Sequence, residues 1–182
     1  SYDRFLFRSK FLKTLRDFYD KKWFIEIETP VLWNAASGAA AQPFITHHND
    51  FDADFYLRIA PETALKKATV GRFEKVFEIG KNYRNEGSDP SHMQEFTSVE
   101  HYAAYWNFED NMKFTEEMFD FIFDKMWLNR KIKIKDKDGI EKEVDFTTPF
   151  QKIDYIAWVK EKCWIDVSQY WPWDEEKLRK TI

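Results

Sequence analysis

A single cysteine, Cys163, stands in the whole chain, which excludes an internal disulfide and any cysteine-based zinc cluster. No apolar run approaches the roughly 20 residues that span a bilayer, and the N-terminus lacks the basic-then-apolar layout of a secretory signal. A cytoplasmic protein is the expectation, with no membrane partner. Positive charge is not in excess either: the net charge is −4 at pH 7, whereas a nucleic-acid binder is expected to carry a basic domain or stripe. Internal repeats, low-complexity tracts, P-loops and Rossmann glycine patterns are all missing. What is present is the composition of one globular domain with a real core, 43% apolar and 33% charged over 182 residues. Aromatics reach 19%, with a late concentration at Trp158, Trp164, Tyr170, Trp171 and Trp173. Such a tail is expected to pack on something, because soluble monomers seldom expose large apolar patches.

Periodicity supplies the elements. Residues 8–22 place Phe11, Leu12, Leu15, Phe18 and Tyr19 at helical spacing with charges opposite. Trp23 to Glu28 alternates as a strand and stops at Pro30, which lacks an N–H for a ladder. Residues 34–43 are small and flexible, the composition of a loop that approaches something closely. Short strands are expected near Phe44 to Thr46 and Phe55 to Leu57, after which Pro61 opens a helix at its favoured first position. Glu62 then sits at a positive helix end, where a carboxylate is favoured with or without a ligand. His47 and His48 are adjacent and would diverge on a strand, so they read as surface residues and not as one metal site. Asn107 can cap a long helix reaching Leu128, with a stripe of Phe108, Met112, Thr115, Met118, Phe119, Ile122 and Met126. A hairpin follows, Lys131 to Lys135 and Lys142 to Phe146, turned at Asp138-Gly139. Acidic neighbours make its lysines a solvated face and not an RNA site.

The most informative stretch runs from Val76 to Tyr105 and reads as two strands around a loop punctuated by Asn85, Gly87, Ser88, Asp89, Pro90 and Ser91. Side chains alternate faces, so Phe96, Ser98, Glu100, Tyr102 and Ala104 share one face of the second strand. Gly80, Asn82 and Arg84 share a face of the first, with Glu86 and His92 inside the loop. Alone, Arg84 and Glu86 read as a surface ion pair and Phe96 as core. Glu100 is less ordinary: a carboxylate in an apolar strand is either wet or meets a cation. Together the residues suit a phosphorylated, aromatic, amino-bearing ligand.

The wording of this stretch carries a resemblance. RNEG at Arg84 to Gly87, HMQEF at His92 to Phe96 and the VEHYAAY that follows resemble the second signature motif of the class II aminoacyl-tRNA synthetases, most closely the lysyl branch. FIEIETPVL at Phe24 to Leu32 resembles the first motif, with Pro30 as its proline. SGAAAQPF at Ser37 to Phe44 resembles the amino-acid loop, and YLRIAPE at Tyr56 to Glu62 follows in the family's order. The likeness covers residues 8 to 153. The chain departs from the family's wording at Met93 and Gln94, where lysyl enzymes often carry Asn-Pro, and at Ser37, which replaces a common glycine.

The resemblance implies an α+β fold, an antiparallel sheet flanked by helices. It also implies that residues 1–182 are the first part of a catalytic domain, with motif 1 at about 8–32 and motif 2 at about 76–105. The third motif, the downstream carboxylates that hold Mg2+ and the N-terminal anticodon-binding domain are expected to lie outside it, and activity of this piece alone is expected to be weak or absent. The implied reaction is ATP-dependent activation of lysine to an adenylate, then transfer to tRNA(Lys). Arg84 would be the catalytic residue and would bind ATP with Glu86, His92 and Phe96, while Gly38, Glu62, Glu100 and Tyr102 would bind lysine. No metal ligand is expected in the chain itself. The first motif implies a homodimer. Open alternatives are a paralogue that directs lysyl-adenylate to a protein, an aspartyl or asparaginyl relative, and a noncatalytic dimerisation or binding module of the same fold.

Overall fold

The computed structural model describes residues 2–136 and 138–170, and these form two compact units divided after Asn129. The first unit opens with helix α1 (Tyr2–Lys21), followed by strands β1 (Ile25–Glu26), β2 (Leu32–Trp33), β3 (Ile45–His48) and β4 (Ala53–Leu57). Helix α2 (Glu62–Val70), strands β5 (Lys75–Tyr83) and β6 (Glu95–Ala103) and helix α3 (Phe108–Met126) complete it.

Its centre is the antiparallel β5–β6 ladder, in register from Lys75 opposite Ala103 to Tyr83 opposite Glu95. β1 joins β5 in parallel through Ile25 opposite Val76 and Glu26 opposite Phe77, so the sheet order is β1-β5-β6. β2, β4 and β3 make a second, antiparallel sheet. α1 and α3 cover one face of the first sheet. Leu15, Phe18 and Tyr19 meet Phe24, Phe77, Phe114, Ile122 and Met126, with Val99 and Ala103 packed against them. Tyr19 stacks on Phe77 at 4.2 Å between ring centroids. Each such side chain contributes roughly 1.5–3 kcal/mol by leaving water. This is the core the helical spacing of residues 8–22 anticipates, although α1 begins earlier, at Tyr2.

The expected strand from Trp23 shrinks to two residues, because Trp23 adopts a left-handed φ of 64° and stands exposed. The stripe of α3 is rotated from the expected one: Phe114 and Phe123 are buried while Phe108 and Met112 lie outside. Phe114 wins because Phe18, Phe24 and Trp106 converge on it, with centroids 5.0 to 5.2 Å away. The Asn107 cap is present as a full capping box with Asp110. His47 is exposed, as expected, whereas His48 is half-buried between Phe51 and Phe55.

In the second unit β7 (Lys131–Lys135) pairs with β8 (Glu141–Asp145), followed by α4 (Tyr155–Cys163) and a 3-10 turn at Val167–Tyr170. Gly139 takes a φ of +79°, and the Asp136 carboxylate accepts from the Asp138 and Ile140 amides to close the turn. Lys131, Lys133 and Lys142 all meet carboxylates, in keeping with a solvated face. Trp158 and Trp164 are exposed. Trp171, Trp173 and the Tyr170 side chain lie outside the described residues.

Candidate functional site

The face of the β5–β6 ladder turned away from α1 and α3 carries Glu78, Gly80 and Asn82 opposite Glu100, Ser98 and Phe96. Alternation puts Tyr102 on the same face, and α2 packs against these two strands. Arg84 lies one step beyond β5, its guanidinium 5.2 Å from the centre of the Phe96 ring and its Nε donating to the Ile59 carbonyl at 3.4 Å. An arginine held over an aromatic face keeps its fork oriented at little entropic cost.

At the other end of the face, Glu100 is half-buried and its carboxyl is pushed above the usual range. Burial is the main cause and the Glu62 charge the second, while Tyr102, Arg58 and Arg84 pull the other way. The Tyr102 hydroxyl donates to Glu100 at 3.5 Å, and its own pKa is pushed up by burial and by the two carboxylates. Glu62 opens α2, with Pro61 in the capping position just before it and not in the first turn. Lys66, one turn on, pairs with Glu62 at 2.6 Å and leans over the Tyr102 ring. Gly38 comes to the same place at a φ of +93°, where an added Cβ would sit 3.3 Å from the Glu62 Cβ and 3.4 Å from that of Ala60. Only glycine holds this conformation without strain. Gly38, Glu62, Glu100 and Tyr102 therefore gather at one end, and Arg84 with Phe96 at the other.

The loop 84–94 is organised from within. Asp89 accepts from the Ser91 and His92 amides, from the Ser91 hydroxyl and from the His92 ring, and these bonds hold its carboxyl well below the usual range. His92 is thus exposed and engaged with Asp89. Glu86 is exposed too, its carboxylate accepting from the Gln42 amide at 3.2 Å while the Asn85 amide donates to the Gln42 carbonyl at 2.8 Å. Two bonds thereby latch the small-residue loop to the loop after β5. Gln94 closes that loop by donating to the Glu86 carbonyl, and Met93 stands exposed.

Buried on the same face lies a cluster that the sequence did not single out. The Arg58 side chain is 3% exposed and forms an ion pair with Glu78, whose own side chain is 5% exposed. Arg58 also donates to the Lys81 carbonyl and to the carbonyl and hydroxyl of Thr29, and the Thr29 hydroxyl donates to Glu78. Its backbone joins the two sheets, donating to Val31 and accepting from Tyr83. A small recess beside it is lined by Trp33, Ser37, Ala60 and Thr63. The signals available were Glu78, which shares the face of Gly80 and Asn82 by parity, and the place of Arg58 within YLRIAPE. Among the described residues no group of three or more His, Cys, Asp or Glu could hold a metal ion, and no helix is long and apolar enough to cross a membrane.

The family described as "tRNA synthetases class II (D, K and N)" matches residues 1–180. Among curated relatives, the lysine–tRNA ligase of Aquifex aeolicus is 47% identical over 176 residues, 97% of this chain and 28% of that protein. That of Thermosipho africanus is 46% identical over 99% of the chain and 34% of its own length. The ligase of Clostridium tetani is 48% identical over 92% and 32%. The chain thus spans about a third of the length of these relatives.

Proposed function

The chain belongs to the class II tRNA synthetases of the D, K and N group, and from that premise we propose that it carries the substrate face of a lysine–tRNA ligase. The observation that carries the choice of lysine is Glu100, a half-buried carboxylate drawn toward its ionised form only by the charges of Arg58 and Arg84 and in no ion pair among the described residues. A desolvated carboxylate calls for a positive partner, and a side-chain ammonium supplies it, oriented by the Tyr102 hydroxyl. The substrate's α-ammonium falls to Glu62, with the Gly38 backbone alongside. An aspartate or asparagine side chain would leave Glu100 unpaired, and sites built on polar pairing typically reject such analogues by ~10⁴-fold or more.

ATP is the other substrate of this reading. The lysine carboxylate oxygen attacks the α-phosphorus, the bond to the β-phosphate oxygen breaks, and pyrophosphate leaves the adenylate. Both reactants are anionic, so fixed positive charge and positioning supply most of the acceleration. Arg84 is the group placed for this, because its fork can bind phosphate and carboxylate oxygens together. Phe96 offers a stacking surface for the base, and Glu86 an acceptor for its amino group once it gives up Gln42. His92 reaches the distal phosphates only by leaving Asp89. Magnesium, which would neutralise phosphate charge, has no fitting ligand cluster among the described residues, and no step here passes through it. Transfer to the 3′ end of tRNA(Lys), a homodimer through α1 and β1, and a cytoplasmic place of work complete the proposal.

Calorimetry of lysine and of ATP, titrated separately into the chain and its Glu100→Gln variant, tests it. Removing one partner of a buried charged pair costs ~2 kcal/mol or more, about 30-fold in affinity. Lysine affinity should fall by at least that factor while ATP affinity stays nearly constant. Equal losses for the two ligands would contradict the assignment.

A further inference from the structure

Glu78 and Glu100 are direct cross-strand partners, so their side chains leave the same face of the ladder side by side. Two neighbouring carboxylates resist ionising together. The feature that separates their fates is Arg58, which is buried against Glu78 and fixed by Thr29 and the Lys81 carbonyl. Gly80, two residues along β5 from Glu78 on that face, has no Cβ; one added there would collide with the Arg58 guanidinium and crowd the Glu78 carboxylate.

We propose that Arg58 is a positioning residue for the amino-acid end of the site: it neutralises Glu78 so that Glu100 alone remains to receive an ammonium. Resting on the lysine reading above, the inference extends the site to a second layer, Arg58, Glu78 and Thr29, that never touches substrate. Arg58 also pulls on Glu100 directly, and the other charged or titratable groups facing Glu100 are Glu62 and Lys66 from α2, Tyr102 on its own strand, and Arg84 beyond β5. Glu62 opposes ionisation of Glu100, and Lys66 is already engaged with Glu62. Arg58 is therefore the cation placed to relieve the Glu78 charge.

The test follows the Glu100 carboxyl by carbon-detected NMR titration, together with lysine and ATP calorimetry, in the parent chain, Arg58→Met, Glu78→Gln and the double variant. Opposite displacements are expected. Arg58→Met raises the Glu100 titration point and weakens lysine tenfold or more at neutral pH, with affinity regained at higher pH. Glu78→Gln lowers the titration point, and the double variant returns it toward that of the parent. ATP affinity changes little throughout. Should Arg58→Met fail to fold, the fall in Glu78→Gln and the double variant still decide. Displacement in the same direction in both single variants, or none in Glu78→Gln, overturns the inference. If the titration points move as expected while the parent binds no lysine, the charge compensation stands and the ligand reading fails.

Discussion

The shared face of Glu100 and Tyr102 was legible from spacing, because strand parity assigns a face from sequence alone, whereas Arg84 by itself read as half of a surface ion pair. The role of Arg58 was not legible, since its partners Thr29, Glu78 and Lys81 come from separate elements that only the folded chain brings together. Gly80 shows the same limit: parity gives its face, but the Arg58 guanidinium lying over it gives the reason for its missing side chain. Gly80→Ala should therefore destabilise the first unit by ~1–3 kcal/mol, the usual cost of overpacking a fixed site, with denaturant melts as the measure. A smaller variant effect would mean that Arg58 yields easily and is not the rigid group described. His92 was legible as a loop residue, but its engagement with Asp89 depends on a turn whose bonds spacing does not reveal.

At the scale of elements, α1, α3, the β5–β6 ladder and the hairpin of the second unit follow from period and capping signals. Local signals failed where tertiary packing or backbone geometry decided: the strand at Trp23 was cut short by a left-handed residue, and the face of α3 was chosen by Phe114. One link between elements has a pH signature. His101 of β6 sits between Tyr19 of α1, 2.9 Å from Nδ1, and Asn111 of α3, 2.7 Å from Nε2. In the neutral ring Nδ1 accepts from the Tyr19 hydroxyl and Nε2 donates to the Asn111 carbonyl. Burial holds its pKa below the ordinary value, while the Asn111 bond opposes the shift. The unfolded chain takes up the proton near ~6.5 and the folded chain resists it. The stabilising contribution is therefore complete above that pH and is lost as pH falls through ~6.5 toward the lower folded value. Melts at pH 7.5 and 5.5 should show the loss, and His101→Gln should remove most of this difference. A parent whose stability is unchanged across that interval would contradict it.

For the molecule as a whole, Tyr2, Phe5, Leu6 and Phe7 of α1 stand exposed, as do Trp23 and Ile25 beside β1. A folded chain with that much apolar surface tends to cover it, and a two-fold pair does so with one self-complementary patch. Light scattering of the chain at micromolar concentration should give the mass of a dimer, and Ile25→Glu should shift it toward the monomer. A parent that remains monomeric at every concentration would remove the homodimer from the proposal. The sheet's opposite border has another implication. β6 is the outer strand of its sheet among the described residues, bonded to β5 along Glu95–Ala103. Alternate amides and carbonyls of that strand point outward, and such a border is a template for any extended segment of matching length. The face proposed for substrate thus rests on a strand that can still grow sideways, and whatever adds there would stiffen the backbone beneath Glu100 and Tyr102 without touching either side chain.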